Sequence, residues 1–312
     1  MYHKIIKEIC DELDINCNFL SKDWVIMLEK DNKNKFITGY KFDLNTQSTS
    51  NIVDDKFALY EVLKVNNIPV IEHNIIYNKN NNNEYAKGCN DYNDVLNYFK
   101  EHNNHIVIKA NNGTCGNEVY NIININDIIP CLDNLFKFNH SLSICPFYDI
   151  ENEYRTIILD GEVLLTYKKI KPVVIGNGIN SIRDLLLEFN YNYFKDKLID
   201  DKYNKILNND EIYEYSWQFN LSRGAKIGSV DDIVNKQIIS LSKIVASIVN
   251  LRFGSIDIIK TKDNNYYIME ANSGVMMKNY INNEINGYNI AKEIYKKVII
   301  EMFDGDNDEI TR

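Results

Sequence analysis

Three oxygen-bearing side chains in the C-terminal third of the sequence are spaced as ligands of a hard cation. Asp257 lies in a predicted strand over residues 254–259, and Glu270 and Asn272 end the next strand two positions apart. Side chains two apart on a strand point to the same side of a sheet. Oxygen donors without competing nitrogen or sulfur favour Mg²⁺, with Mn²⁺ as an alternative. Acidic residues at strand ends are also often simply solvated.

A lysine and a glycine-containing loop form a second candidate site. Lys109 ends an apolar strand, and the loop that follows contains Gly113, Thr114 and Gly116. A lysine and backbone N–H groups in this arrangement suit phosphate oxygens, although a lone lysine at a strand end often only reaches water. The loop connects two predicted strands and does not start a helix. This argues against a P-loop and against a dinucleotide-binding fingerprint.

Other cations are scattered along the chain. Arg155 follows Glu153 by two positions on one strand, Lys169 ends the partner strand of that hairpin, and Lys56 begins a predicted helix. Together with Lys109 they either converge on one polyanion or are dispersed over the surface. Asn220 and Arg223 belong to a polar turn before Gly224, and a plain turn explains that segment equally well.

Composition limits the classes of function. The chain has 312 residues, with 35 Lys and Arg against 44 Asp and Glu, which gives a net charge of −9. This charge disfavours nonspecific binding to nucleic acid or to acidic membranes. No run of residues is apolar enough to span a bilayer, and the six cysteines form no CxxC pair. We therefore expect a cytoplasmic protein with free thiols, and the five histidines show no metal or triad spacing.

The order of the predicted elements indicates an α+β fold. Helices alternate with hairpins, and few strand–helix–strand units occur. Asp160-Gly161 between two β-branched and aromatic runs predicts a tight hairpin. The polar segment 45–51 is typical of a linker, and residues 230–251 form the longest amphipathic pattern.

Taken in chain order, these pieces resemble the ATP-grasp superfamily. The similarity is greatest to its cyanophycin synthetase and bifunctional glutathione synthetase branch, covers residues 54–303, and is carried by Asp55-Lys56, Val107-Ile108-Lys109, Asn112-Gly113-Thr114-Cys115-Gly116, Asn152-Glu153-Tyr154-Arg155, Lys169, Gly176-Asn177-Gly178, Ser181-Ile182-Arg183-Asp184-Leu185, Asn220-Leu221-Ser222-Arg223-Gly224, Phe253-Gly254-Ser255-Ile256-Asp257 and Met269-Glu270-Ala271-Asn272. The ordered set is more specific than any single member.

The resemblance implies a role for each matched position. Lys56 and Lys109 would contact ATP phosphates under a lid formed by Gly113, Thr114 and Gly116. The main chain around Pro146, Phe147 and Tyr148 would bind adenine, and Glu153 would hold the ribose. Arg155 and Lys169 would neutralise the γ-phosphate and the acyl phosphate, and Asn220 and Arg223 would lie near the reacting carboxylate. Asp257, Glu270 and Asn272 would bind Mg²⁺. Lys169 stands where close relatives carry arginine, so it keeps the charge without the bidentate fork.

The implied architecture has two α+β lobes that clasp ATP. Its predicted domains are a short N-terminal α/β subdomain (1–53), a central lobe with the glycine lid (54–143), a C-terminal lobe with the metal site (144–304) and an acidic tail (305–312). The implied activity is ATP-dependent ligation of a small-molecule or peptide carboxylate to an amine. A kinase acting on a hydroxyl and a non-catalytic nucleotide-binding module are the alternatives. Base rates favour a homodimer.

Overall fold

A computed structural model describes residues 1–78, 92–113 and 118–304. Thr114, Gly116 and the predicted tail 305–312 lie outside this range. The chain divides into two compact units, unit 1 (Met1–Lys168 with Ser229–Arg312) and unit 2 (Lys169–Gly228). The domain boundaries at 53/54 and 143/144 stay predictions.

The elements follow the α+β order. In chain order they are α1 (Tyr2–Glu12), β1 (Asn16–Leu20), β2 (Val25–Lys30), β3 (Lys33–Thr38), β4 (Lys41–Phe42), α2 (Gln47–Asp54), α3 (Lys56–Val65), β5 (Asn74–Tyr77), α4 (Tyr92–Glu101), β6 (Ile106–Ala110), β7 (Val119–Ile122), α5 (Ile128–Leu135), β8 (Ser141–Pro146), β9 (Ile150–Leu159), β10 (Glu162–Ile170), β11 (Val173–Ile175), α6 (Ile182–Phe194), β12 (Ile212–Glu214), β13 (Lys226–Gly228), α7 (Asp232–Val249), β14 (Phe253–Thr261), β15 (Tyr266–Asn272), α8 (Lys278–Asn283) and α9 (Gly287–Asp304). No helix among the described residues combines the length and the apolar character needed to cross a membrane.

The first sheet of unit 1 is the antiparallel meander β1-β2-β3-β4. The linker prediction for residues 45–51 was wrong, because α2 begins at Gln47. Thr46 caps this helix by accepting a hydrogen bond from the Thr49 N–H at 3.1 Å, which satisfies one of the free N–H groups of the first turn. Thr49 is buried and bonds the carbonyl of Asn250, 201 residues away. That tertiary contact is not visible in a local polar pattern.

The second sheet has the strand order β5-β8-β6-β7. One face carries the apolar core that packs with α4 and α5 and includes Ile76, Ile106, Ile108, Leu142 and Ile144. Residues of the opposite parity, among them Lys109 and its cross-strand partner Ser143, belong to the other face. The sheet therefore places Lys109 away from the apolar core.

The third sheet of unit 1 contains β10-β9-β14-β15 in that order. The hairpin prediction at Asp160-Gly161 is confirmed, and both residues have positive φ, +44° and +79°. One face packs on α7 through a core that includes Tyr154, Ile158, Ile256, Ile258, Ile268 and Ala271. The β14–β15 register shifts between Asp257 and Ile258, so Ile268 and Ala271 both face this core, and alternation on either side of the shift assigns the charged residues to the opposite face.

Unit 2 has its own small core around the β11-β12 pair and α6. The predicted helix after the Gly176-Asn177-Gly178 turn begins with a capping box, in which Ser181 and Asp184 bond each other's backbone N–H. The core residues are Val174, Ile182, Leu186, Phe194, Leu198 and Leu207. Several aromatic residues of the segment 190–219 pack against this core, including Tyr193, Tyr203, Tyr213 and Tyr215.

Candidate functional site

Charged side chains lie side by side on the face of the third sheet that is turned away from α7. Asp257 of β14 pairs in register with Glu270 of β15 on one side and with Arg155 of β9 on the other. The same register places Asn272 opposite Ser255, and Glu153 opposite Ile259. Because every second residue shares a face, all five predicted residues belong to one surface.

Arg155 and Asp257 form a bidentate ion pair. Arg155 Nε donates to Asp257 Oδ1 at 2.7 Å and a terminal nitrogen donates to Oδ2 at 2.5 Å. The same terminal nitrogen lies 4.0 Å from Glu270 Oε1. Burial by itself would lower the pKa of Arg155, but the attraction of Asp257 raises that pKa well above its ordinary value. The guanidinium therefore keeps its charge at every physiological pH.

Lys109 is a nearly buried cation on the second sheet. Only 9% of the residue is exposed. Within the described residues its ammonium makes no hydrogen bond and no ion pair. A buried ammonium without an anionic partner has a large desolvation cost. Among the described residues, no anion therefore neutralises the charge of Lys109.

Lys56 lies in the same region, at the first turn of α3. Its Nζ donates to the carbonyl oxygens of Gly113 at 2.8 Å and Asn111 at 3.2 Å, and it is 4.0 Å from Glu270 Oε2. Burial lowers the pKa of Lys56; Glu270 opposes this shift, while the nearby charge of Lys109 adds to it. Lys56 therefore lies near charged groups of both sheets, Glu270 of the third sheet and Lys109 of the second, all within unit 1.

The segment before β5 joins the two sheets. The N–H of Ile268 in β15 donates to Pro69 O at 2.9 Å, and the N–H of Ile71 donates to Ile268 O at 2.9 Å. His73 follows and is buried, with Nδ1 2.6 Å from Ser143 Oγ. Burial, followed by the charges of Lys109 and Lys56, lowers the pKa of His73 well below its usual value. The sequence assigned His73 no role, since its spacing to other polar residues gives no signal.

The predicted adenine hinge follows β8 directly. Pro146 is the last residue of β8, and the Phe147 N–H donates to His105 O at 3.1 Å. The Phe147 ring stacks on His105 with centroids 3.9 Å apart and planes at 7°. The Tyr148 hydroxyl accepts from the Glu72 N–H at 3.1 Å. These contacts fix the path of the chain at residues 146–148.

Three predicted residues belong to unit 2. Lys169 is its first residue. Asn220 and Arg223 lie together in one turn, where Asn220 Oδ1 accepts from the Ser222 N–H at 2.8 Å and Arg223 donates to Gln218 Oε1. Gly224 follows with φ +99°, and a Cβ there would stand 2.1 Å from the Tyr215 hydroxyl. This turn consequently requires glycine.

The predicted metal ligands are two carboxylates and one amide on adjacent strands. Among the described residues no group of three His, Cys, Asp or Glu side chains is arranged to hold a metal ion. The set Asp257, Glu270 and Asn272 nevertheless consists only of oxygen donors on one face, as Mg²⁺ prefers. Both oxygens of Asp257 accept from Arg155, and a carboxylate oxygen has further lone pairs for a cation. The donor chemistry therefore fits Mg²⁺.

Comparison with known proteins gives matches at the level of three-dimensional structure. No family model and no curated protein matches the sequence. The structure is similar to a bifunctional glutathione synthetase from Pasteurella multocida, with a TM-score of 0.54, 14% identity and coverage of 94% of this chain. It is also similar to a D-alanine–D-alanine ligase from Bacillus anthracis, with a TM-score of 0.55, 14% identity, and coverage of 83% of this chain and 69% of that ligase. This chain spans 44% of the glutathione synthetase chain. At these identities the similarity concerns the fold.

Proposed function

Because the chain has the ATP-grasp fold, we propose that it is an ATP-dependent carboxylate–amine ligase. A substrate carboxylate attacks the γ-phosphorus of ATP and forms an acyl phosphate with release of ADP. An amine then attacks the acyl carbon and expels phosphate, which leaves an amide or peptide bond.

The observation that carries this proposal is the buried ammonium of Lys109. It is held without an anionic partner among the described residues, beside Lys56 and within the same unit as Arg155, Asp257 and Glu270. An acidic chain that concentrates cations in one place is suited to a polyanion such as a triphosphate. These cations also lie in the same unit as the Asp257 and Glu270 carboxylates, and a metal bound to a triphosphate requires such oxygen ligands.

The proposed roles are those that the resemblance to the ATP-grasp superfamily implies for the matched residues. Lys56 and Lys109 bind phosphate oxygens, Glu153 binds the ribose, and the main chain at Pro146, Phe147 and Tyr148 binds adenine. Arg155 and Lys169 stabilise negative charge on the transferred phosphoryl group and on the acyl phosphate. Asn220 and Arg223 bind the reacting carboxylate. Asp257, Glu270 and Asn272 would hold Mg²⁺, which supplies charge neutralisation at the phosphate oxygens.

No additional nucleophile is needed for this chemistry. A carboxylate is already nucleophilic, so the absence of a triad pattern among the histidines and cysteines in the sequence is no obstacle. Most of the rate enhancement comes from holding the acid, ATP and the amine together and from fixed positive charge. Excluding water protects the acyl phosphate from hydrolysis.

The experiment is an ADP-release screen over amino acids and short peptides as acids and amines. We expect ADP release with one acid, an acyl hydroxamate when hydroxylamine is added, and an amide product by mass spectrometry. The matched variant Glu270→Ala should release no ADP with that acid, since it removes a proposed metal ligand.

Each contrary result has a definite meaning. A phosphorylated hydroxyl without an amide would identify a kinase. ATP binding without ADP formation over the whole panel would identify a nucleotide-binding module, and near-normal turnover by Glu270→Ala would remove Glu270 from the metal site.

A further inference from the structure

A buried amide connects the helix that carries Lys56 to the start of the glycine loop. Asn111 is fully buried. Its Oδ1 accepts from the Phe57 N–H at 3.2 Å, and its Nδ2 donates to Asp55 Oδ2 at 2.6 Å. Both polar atoms of this side chain therefore bond the first turn of α3, 56 residues earlier in the chain.

Asp55 and the Asn111 main chain complete the connection. Asp55 Oδ1 accepts from the Ala58 N–H at 2.8 Å, which caps α3. The Asn111 carbonyl accepts from Lys56 Nζ at 3.2 Å, and the Asn111 N–H donates to Ser141 O of β8 at 3.3 Å. Asn111 is thus bonded to α3 and to the second sheet at once. The Asp55 carboxylate would repel phosphate, and both polar atoms of the Asn111 side chain are already bonded within the protein.

We propose that Asp55 and Asn111 are positioning residues that fix the Lys56 ammonium and the Gly113 carbonyl beside the triphosphate subsite. This inference rests on the proposed ATP site. A lysine side chain that is ordered before ligand binding loses less conformational entropy when the ligand arrives. Asp55 and Asn111 thus position the groups that bind phosphate, and not the segment proposed to bind adenine.

The hydrogen-bond directions make the pair testable. Asn111 must donate to Asp55 and accept from Phe57 N–H, so its two ends are not equivalent. Asn111→Asp places two carboxylates against each other, and Asp55→Asn places two amide donors together. The double exchange Asp55→Asn with Asn111→Asp restores one donor and one acceptor, because the aspartate at 111 accepts from both the Phe57 N–H and the new amide.

The experiment measures the dissociation constants of Mg²⁺–ATP and of adenosine for the wild type, the two single variants and the double variant. We expect each single variant to bind ATP about tenfold more weakly, because the loss of one charge-assisted hydrogen bond corresponds to about that factor in affinity. The double variant should return to within about threefold of the wild type, and adenosine affinity should be unchanged throughout. If a single variant does not fold, Asp55→Ser replaces it, since serine retains the helix cap but is too short to bond Asn111.

The outcomes separate this inference from the proposed function. Single variants that bind ATP as the wild type does, a double variant without recovery, or equal weakening of ATP and adenosine would each overturn the positioning role. A wild type that binds ATP but forms no acyl phosphate contradicts the ligase alone, and the affinity ratios still decide the role of the pair. A wild type that binds no ATP overturns both.

Discussion

Two arginine–aspartate pairs in unit 1 have nearly the same geometry and very different surroundings. Arg155 binds Asp257 at 2.7 and 2.5 Å, and Arg252 binds Asp160 at 2.7 and 2.8 Å, both through Nε and a terminal nitrogen. The Asp257 side chain is 1% exposed, whereas that of Asp160 is 35% exposed. Bidentate geometry therefore does not distinguish a buried pair from a surface pair.

The two pairs differ in the charged residues that surround them. Around Arg155 and Asp257 lie Glu270 and, beyond it, the buried Lys56. The Arg252 side chain also pairs with Glu301 at 2.8 Å, near solvent. Exposed pairs are screened by water and contribute little to stability. Buried charges that are incompletely neutralised are costly to fold, and such cost is typical of sites that bind a charged ligand.

The largest effect is expected when the aspartates are replaced. Asp257→Asn should lower ADP release at least about 100-fold and destabilise the fold by about 3 kcal/mol, because it leaves Arg155 without its main partner. The matched variant Asp160→Asn should keep full activity and cost less than about 1 kcal/mol. Urea unfolding and the ADP assay measure both quantities. Equal losses in the two variants would show that burial does not separate the pairs.

A second test replaces Lys109, a buried cation with no anionic partner among the described residues. Lys109→Met should weaken ATP binding by at least about tenfold while leaving the free energy of unfolding unchanged or higher, because a desolvated charge is removed. Lys262, which is exposed and lies 2.7 Å from Asp149, provides the control Lys262→Met. Calorimetric titration with ATP and urea unfolding are the measurements. A destabilised Lys109→Met that retains ATP affinity would contradict the role of Lys109.

A third test measures how the stability of the fold depends on pH through the buried His73. Burial and nearby cations lower the pKa of His73 far below 6.5, so below pH 6.5 the unfolded chain takes up a proton that the folded chain does not. Between pH 6.5 and 5 the free energy of unfolding of the wild type should fall by up to about 1.4 kcal/mol per pH unit more than that of His73→Gln. Unfolding free energies of both proteins over this range give the difference. Parallel curves would mean that His73 is protonated in the folded state.

The smallest effect is expected at the surface pair. Burial, followed by the charge of Asp160, raises the pKa of Glu301, so its favourable contribution is complete below the ordinary pKa of 4.5 and is lost as pH rises. The free energy of unfolding of Glu301→Gln, relative to that of the wild type, should therefore be higher at pH 7 than at pH 4. The change should be below about 0.5 kcal/mol. A clear loss of stability at pH 7 that disappears at pH 4 would reverse this assignment.

Local patterns predicted much of the fold. The Asp160-Gly161 hairpin is confirmed because a two-residue turn with positive φ is encoded by those two residues alone. The capped helix after Gly178 is equally local. Helix α2 was missed because its burial depends on Thr49 meeting Asn250, a contact with no local signal. Asp55 is recognisable as a helix cap, but its partner Asn111 is hidden among several asparagines.

The sequence by itself determined that Glu270 and Asn272 share one face of their strand and that Glu153 and Arg155 share one face of theirs, because residues two apart on a regular strand point the same way. It also determined that Lys109 lies at the end of an apolar strand, which the structure extends by one residue to Ala110. Only the tertiary structure decided that Arg155 neutralises Asp257, 102 residues away, while Lys109 is buried with no such partner among the described residues. The physical reason is that pairing and burial depend on contacts between distant segments, and residue type and spacing do not record them.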